Sequence, residues 1–206
     1  MPKLIDKFLI RKAIRHLRSS DGVLSDIISI HGPCTIAPAL DNPFHALTSS
    51  IISQQLSARA ARAIKARLFD LLRAQHFESE IILKIPAEKF QAAGLSRAKV
   101  DYIRGLALAF RKGEFDVASL AECKDEDVIT RLVRFPGIGR WTAEMFLIFG
   151  LGRPDVLSVN DAGLKRAFRA AYHLPQIPSS AEMIELGEPW RPYRSIASWY
   201  LWRVVD

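Results

Sequence analysis

With 206 residues the chain can bury one full core, or two lobes, but falls short of two independent average domains. Hydrophobic residues make up 49% and charged residues 25%, which excludes a disordered chain, and with Cys34 and Cys123 as its only cysteines it cannot build a disulfide framework or a four-cysteine zinc or iron–sulfur site. The formal net charge of +7 fits a polyanionic partner, because Lys and Arg that neutralise phosphates release condensed counterions, although basic charge alone is a weak signal.

Apolar residues recur at three-to-four spacing almost throughout, and alternating β-branched runs between turn signals are nearly absent, so the expected fold is all-α. In chain order the periodicity predicts helices over about 3–17, 22–30, 43–55, 57–74, 86–92, 97–112, 125–134, 140–150, 161–172, 180–187 and 191–203. The first of them, in MPKLIDKFLIRKAIRHLR, intersperses charges among its apolar residues and contains neither a signal-peptide core nor a membrane span, which reads as an amphipathic helix of a cytoplasmic protein. Gly32, Gly94 and Gly113 stand where left-handed C-terminal residues belong, and Ser57, Ser96 and Ser180 are placed to cap helix starts. The segments Gly32–Pro43 and Gly152–Asn160 are the best connectors.

The most specific local feature is Arg134-Phe135-Pro136-Gly137-Ile138-Gly139-Arg140-Trp141-Thr142-Ala143, between two predicted amphipathic helices. Pro136 fixes φ in a tight turn, while Gly137 and Gly139 permit positive φ and close approach of the backbone to another object. Such a turn points amide N–H groups outward at the start of the next helix, where the dipole is also positive. A phosphate fits there, and Arg140 can add charge. From the turn alone, a plain corner in which the glycines only permit packing is an equal alternative.

The block Leu132 to Ala143, with an Asp about twenty residues beyond it, resembles the helix-hairpin-helix DNA glycosylase superfamily. Three further blocks extend the resemblance over most of the chain from Pro43 onward: PFHALTSSIISQQLSARA, GLSRAKVDYIRGLA and WRPYRSIASWYLW. Together they look like the bacterial 3-methyladenine DNA glycosylase II branch. Larger members of that branch begin with a β-sheet domain, and the roughly forty residues before Pro43 are too few for one. His45 stands where an acidic residue is frequent.

The resemblance implies a two-lobed helical fold with a cleft, in which 43–153 forms a helical barrel lobe carrying the hairpin (about 125–150) and 1–42 with 154–206 forms the other. It implies that Gly137, Ile138, Gly139, Arg140 and Thr142 grip the DNA backbone. Main-chain carbonyls of Val133, Phe135 and Ile138 would hold a sodium or potassium ion, and no other cofactor is required. Taken alone, Asn160 and Asp161 read as helix caps. The resemblance makes Asp161, at the mouth of the cleft, the catalytic carboxylate, with Asp155 a structural turn or cap residue.

Breaking a C1′–N bond develops oxocarbenium character, which a fixed carboxylate stabilises while it orients or deprotonates the attacking water. Glycosidases normally need a second carboxyl group to protonate the leaving group. An alkylated purine is already cationic and leaves without that help, so one carboxylate and the resemblance together point to alkylated purines (3-methyladenine or 7-methylguanine type) in duplex DNA. Relatives that also cut the strand carry a Lys two residues after the second hairpin Gly, where this chain has Trp141, so no lyase chemistry is expected.

The resemblance also assigns Trp141, Met145, Trp202 and Gln54 to the pocket for a flipped base, and Gln55 to the wedge that fills the vacated space. By spacing alone the tryptophans are core residues, and Trp190 and Trp199 are left to the core. Arg59, Arg62, Arg97 and Lys99 read as solvated faces or phosphate contacts. The rival readings are a helix-hairpin-helix module that holds DNA without turnover, and a glycosylase for deaminated or oxidised bases. A monomer is expected.

Overall fold

The computed structural model describes residues 4–205, and among them no strand occurs, in line with the all-α expectation. The helices are α1 (Lys7–Ser20), α2 (Gly22–His31), α3 (Pro43–Ser53), α4 (Ala58–Leu72), α5 (Ser79–Lys84), α6 (Ala87–Ala92), α7 (Arg97–Arg111), α8 (Val117–Glu122), α9 (Asp125–Leu132), α10 (Arg140–Phe149), α11 (Ala162–Ala171), α12 (Ser180–Gly187) and α13 (Arg194–Trp202), with a 3-10 turn at Glu188–Trp190. The chain divides into two compact units, Met1–Pro38 with Gly152–Asp206, and Ala39–Leu151.

In the first unit α1 packs on α2, and α13 packs on α2 and α11. Its core is built on Leu17, Leu24, Ile28, Phe168, Trp190 and Tyr200, all fully buried. The buried polar tips are satisfied: Trp190 Nε1 and Tyr172 Oη both donate to Asp21 Oδ2, at 2.8 and 2.5 Å, while Asp21 Oδ1 caps α2 through Leu24 N. The first predicted helix begins at residue 3, which lies outside the described residues. The observed α1 starts at Lys7 because the Asp6 carboxylate accepts Leu9 N–H at 2.6 Å, an N-cap that fixes the entry point.

In the second unit α10 packs on α3 and α9, and α7 packs on α3 and α5. Leu47, Ile51, Ile52, Phe77, Phe90 and Phe146 fill this core. Basic side chains close several helix ends here, Lys99 at α3 and Arg104 at α5, whose Nη1 donates to Ile85 O at 2.6 Å. Cations at C-termini meet both the orphan carbonyls and the negative end of the dipole.

Three expectations need correction. The helix expected over 43–55 stops at Ser53. Ser179, not Ser180, caps α12, because Glu182 stands three residues after Ser179 and completes a reciprocal capping box. The six-residue helices α5 and α8 lie outside the expected helices, whereas α6 of the same length was expected: fewer than two turns leave only a weak period.

Candidate active site and nucleic-acid interface

The hairpin belongs to the second unit. α9 ends at Leu132, Phe135 N–H donates to Leu132 O at 3.0 Å and Ile138 N–H to Phe135 O at 3.1 Å, and α10 begins after Gly139. The two glycines work differently. Gly137 has φ +85°, and a Cβ there would fall 2.3 Å from Tyr102 Cγ, so this glycine is needed for the hairpin's own packing. Gly139 has φ −90°, which any residue adopts, and a Cβ there would meet nothing within 4 Å. Positive φ is thus realised at one position of the expected two. Packing within the chain explains Gly137 and leaves Gly139 facing open space at the start of α10.

The backbone N–H groups of Gly137, Gly139 and Arg140 donate to no acceptor among the described residues, and no side chain caps α10. These are the donors an anion would find. Other residues expected at this interface are committed internally. The Ile138 amide closes the turn, and its side chain is buried. Thr142 is 1% exposed, with its hydroxyl accepting from Gln54. Arg140 grips Glu126 with Nη1 and Nη2 (3.0 and 2.5 Å) and Glu144 with Nε (3.0 Å), so its charge is opposed by two carboxylates. Accordingly the Arg140 guanidinium holds the Glu126 carboxyl below its ordinary range. The Val133 and Ile138 carbonyls accept no hydrogen bond among the described residues, and Phe135 O, which takes the turn bond, has a second lone pair. Neutral carbonyl oxygens of this kind suit a hard monovalent cation.

Beside the hairpin the chain turns through Gln54, Gln55 and Leu56. Gln54 Nε2 donates to Gly137 O and Thr142 Oγ1, both at 2.8 Å, which commits both amide protons to the hairpin, a task the sequence did not suggest. Lys99 Nζ donates to Ile52 O (2.8 Å) and Gln54 O (2.7 Å), ending α3 at this point. Partial burial lowers the Lys99 pKa. Gln55, at φ +57°, is exposed at the tip of the turn, a left-handed conformation uncommon for a side chain of this type. Gln54, Gln55, Lys99, Tyr102 and residues 133–139 line one open groove of about 620 Å³. Trp141 is half-buried and Met145 is 5% exposed, on α10. Arg59 and Arg97 are exposed.

The first unit carries Asp161, which caps α11 and is 7% exposed. Its Oδ1 accepts Leu164 N–H at 2.5 Å and faces Trp202 Nε1 at 3.5 Å. A buried carboxylate needs such donors, and here they fix its orientation. Trp202 is half-buried, whereas Trp190 and Trp199 are buried as expected. The approach to Asp161 is pinned to α13: Ser195 Oγ accepts Val156 N–H (2.9 Å) and donates to Arg153 O (2.7 Å). Asp155 is locked between Arg191 Nη1 and Arg194 Nε, each at 2.7 Å, which makes it a structural anchor and not a free acid.

An all-helical chain whose hairpin turns unpaired amides and an open glycine outward is a helix-hairpin-helix protein. The chain belongs to the HhH-GPD superfamily of base excision DNA repair proteins, whose model matches residues 48–192. It is 36% identical to DNA-3-methyladenine glycosylase 1 of Schizosaccharomyces pombe over 163 residues, which cover 78% of this chain and 72% of the relative. With an alkylbase DNA glycosidase-like protein of the same yeast it shares 31% identity, over 94% of this chain and 93% of that one. The solved structure of the S. pombe 3-methyladenine DNA glycosylase in complex with abasic DNA superposes with a TM-score of 0.83, at 32% identity, covering 93% of this chain and 95% of the other.

Proposed function

We propose that this protein removes alkylated purines from duplex DNA by hydrolysing the N-glycosidic bond, with Asp161 as the carboxylate. The observation that carries the reading is the fixed Asp161 carboxylate at the start of α11, held by Leu164 N–H and Trp202 Nε1–H, in a chain of this family. Donors on Oδ1 hold the group in one orientation before substrate arrives, so no reorganisation is needed as positive charge grows on the sugar. The carboxylate then stabilises that charge and draws a proton from the attacking water. The similarity to 3-methyladenine and alkylbase glycosylases supports a leaving group that is already cationic, for which one carboxylate is enough.

Backbone amides of Gly137, Gly139 and Arg140 would take a DNA phosphate, with the Val133, Phe135 and Ile138 carbonyls as the site for a sodium or potassium ion. Gln55 would enter the duplex as the wedge. The half-buried indole of Trp202, in the same unit as Asp161, offers a stacking surface for an extruded base. Trp141 in place of a nucleophilic lysine supports hydrolysis without strand cleavage.

The test is release of free methylated purines from alkylated duplex DNA by the wild type and by Asp161→Asn, at fixed low salt. Release by the wild type alone, with both proteins binding the DNA equally, is expected. Equal release by both would remove Asp161 from the mechanism, and no release by either would leave a protein that only holds DNA.

A further inference from the structure

The residue two places after Asp161 is a glycine in the first turn of α11, where glycine is less favourable than alanine. No backbone requirement explains it, since Gly163 is absent from the positions of positive φ. Its surroundings offer a reason. A Cβ built on Gly163 would lie 3.0 Å from Asp161 Oδ1, 3.8 Å from Trp202 Cδ1 and 3.9 Å from Arg166 Nη2. The first distance is closer than a carbon and a carboxylate oxygen ordinarily approach, so a side chain there would have to push something aside. The oxygen it would push is the one fixed by Leu164 N–H at 2.5 Å and by Trp202 Nε1. α11 and α13 pack on each other, so neither donor is free to follow it.

We infer that Gly163 is a positioning residue for Asp161: the missing side chain leaves the space in which the carboxylate keeps both donors and its reacting orientation. The inference rests on the reading of Asp161 as the catalytic carboxylate and adds to it the feature that sets its geometry. The residue touches neither sugar nor base. It acts by what it leaves empty, and the helix gives up some local stability for that space.

This separates a positioning role from a structural one in a single experiment. Gly163→Ala and Gly163→Ser are compared with the wild type for melting temperature, for affinity to a duplex carrying an abasic-site analogue, and for the single-turnover rate of methylpurine release. Alanine is the better helix former, which offsets the weakened Asp161 cap, so the melting temperature of Gly163→Ala stays near the wild-type value. Affinity stays at the wild-type level. The release rate falls about tenfold, as expected for a reacting group displaced by a few tenths of an ångström, and Gly163→Ser, with one more atom, falls further. A wild-type rate in Gly163→Ala overturns the proposal. So does a rate loss that comes with a lower melting temperature or weaker DNA binding, because the glycine would then serve packing alone. Asp161→Asn is run alongside: if it still releases base, the carboxylate assignment fails first, whereas an inactive Asp161→Asn beside a fully active Gly163→Ala sinks only the role of Gly163.

Discussion

The Gln54 side chain donates to the Gly137 carbonyl at 2.8 Å across 83 residues of sequence, tying the turn that carries Gln55 to the tip of the hairpin. The same nitrogen reaches Thr142 Oγ1 on the first turn of α10, so one amide sets the spacing between two candidate DNA-facing loops. Gln54→Ala leaves a carbonyl and a buried hydroxyl without their donor, and about 1–3 kcal/mol of stability should be lost in urea unfolding. DNA affinity should fall as well, because the loops no longer hold a common geometry. A variant as stable and as tightly binding as the wild type would show that the clasp does neither.

Arg140 looks in the sequence like a phosphate ligand, yet it binds Glu126 and the Glu144 carboxylate, whose side chain is 5% exposed. Arg140→Ala should therefore act mainly on stability. Breaking a buried pair costs several kcal/mol, and discounting for the half-exposed guanidinium leaves about 1–2 kcal/mol. A residue that neutralises one phosphate contributes about 0.9 to the slope of log Kobs against log salt. That slope should be nearly the same in Arg140→Ala and the wild type, and a drop of one full contact would return Arg140 to the DNA.

The long helices were legible because each buries one stripe, and a stripe leaves a period in the sequence. The hairpin was legible because Pro136 and the two glycines are few and specific. What escaped depends on partners far away in the chain. The polar pair Gln54 and Gln55 reads by itself as a helix end, but it does not give the exact stop at Ser53, which Lys99 closes by taking the carbonyls of Ile52 and Gln54. Ser179 is legible as a cap, since Glu182 stands at capping-box spacing from it and not from Ser180. Asp161 carries two readings: the structure shows the helix cap that the local pattern suggests, and only the family resemblance marks the same carboxylate for chemistry. Gly163 left no signal in the sequence, because its role is an absence of atoms beside a particular oxygen.

His45 gives the second unit a pH-dependent stability. Its Nδ1 accepts Phe77 N–H at 3.1 Å and its ring lies against Phe69 and Phe77, an arrangement that requires a neutral Nδ1. Burial, with His76 and Lys65 nearby, lowers its pKa below the ordinary 6.5. Between the lowered folded value and 6.5 the unfolded chain therefore binds more protons than the folded one. Stability from this residue is complete above 6.5 and is lost as pH falls through the folded value. Urea midpoints measured from neutral to mildly acidic pH should decline less in His45→Gln than in the wild type, since the amide does not titrate. Parallel declines would assign the pH dependence to other groups.

Trp141 decides between hydrolysis and strand cleavage. A lyase needs an amine that attacks C1′ and forms an imine, and the position two residues after Gly139 offers an indole ring instead. Borohydride added during turnover on alkylated duplex DNA should therefore trap no covalent protein–DNA adduct, and the product strand should stay intact until alkali opens the abasic site. Because the chain has lysines elsewhere, the result is informative in both directions: an adduct would overturn the monofunctional reading, and peptide mapping would identify the amine that reaches C1′.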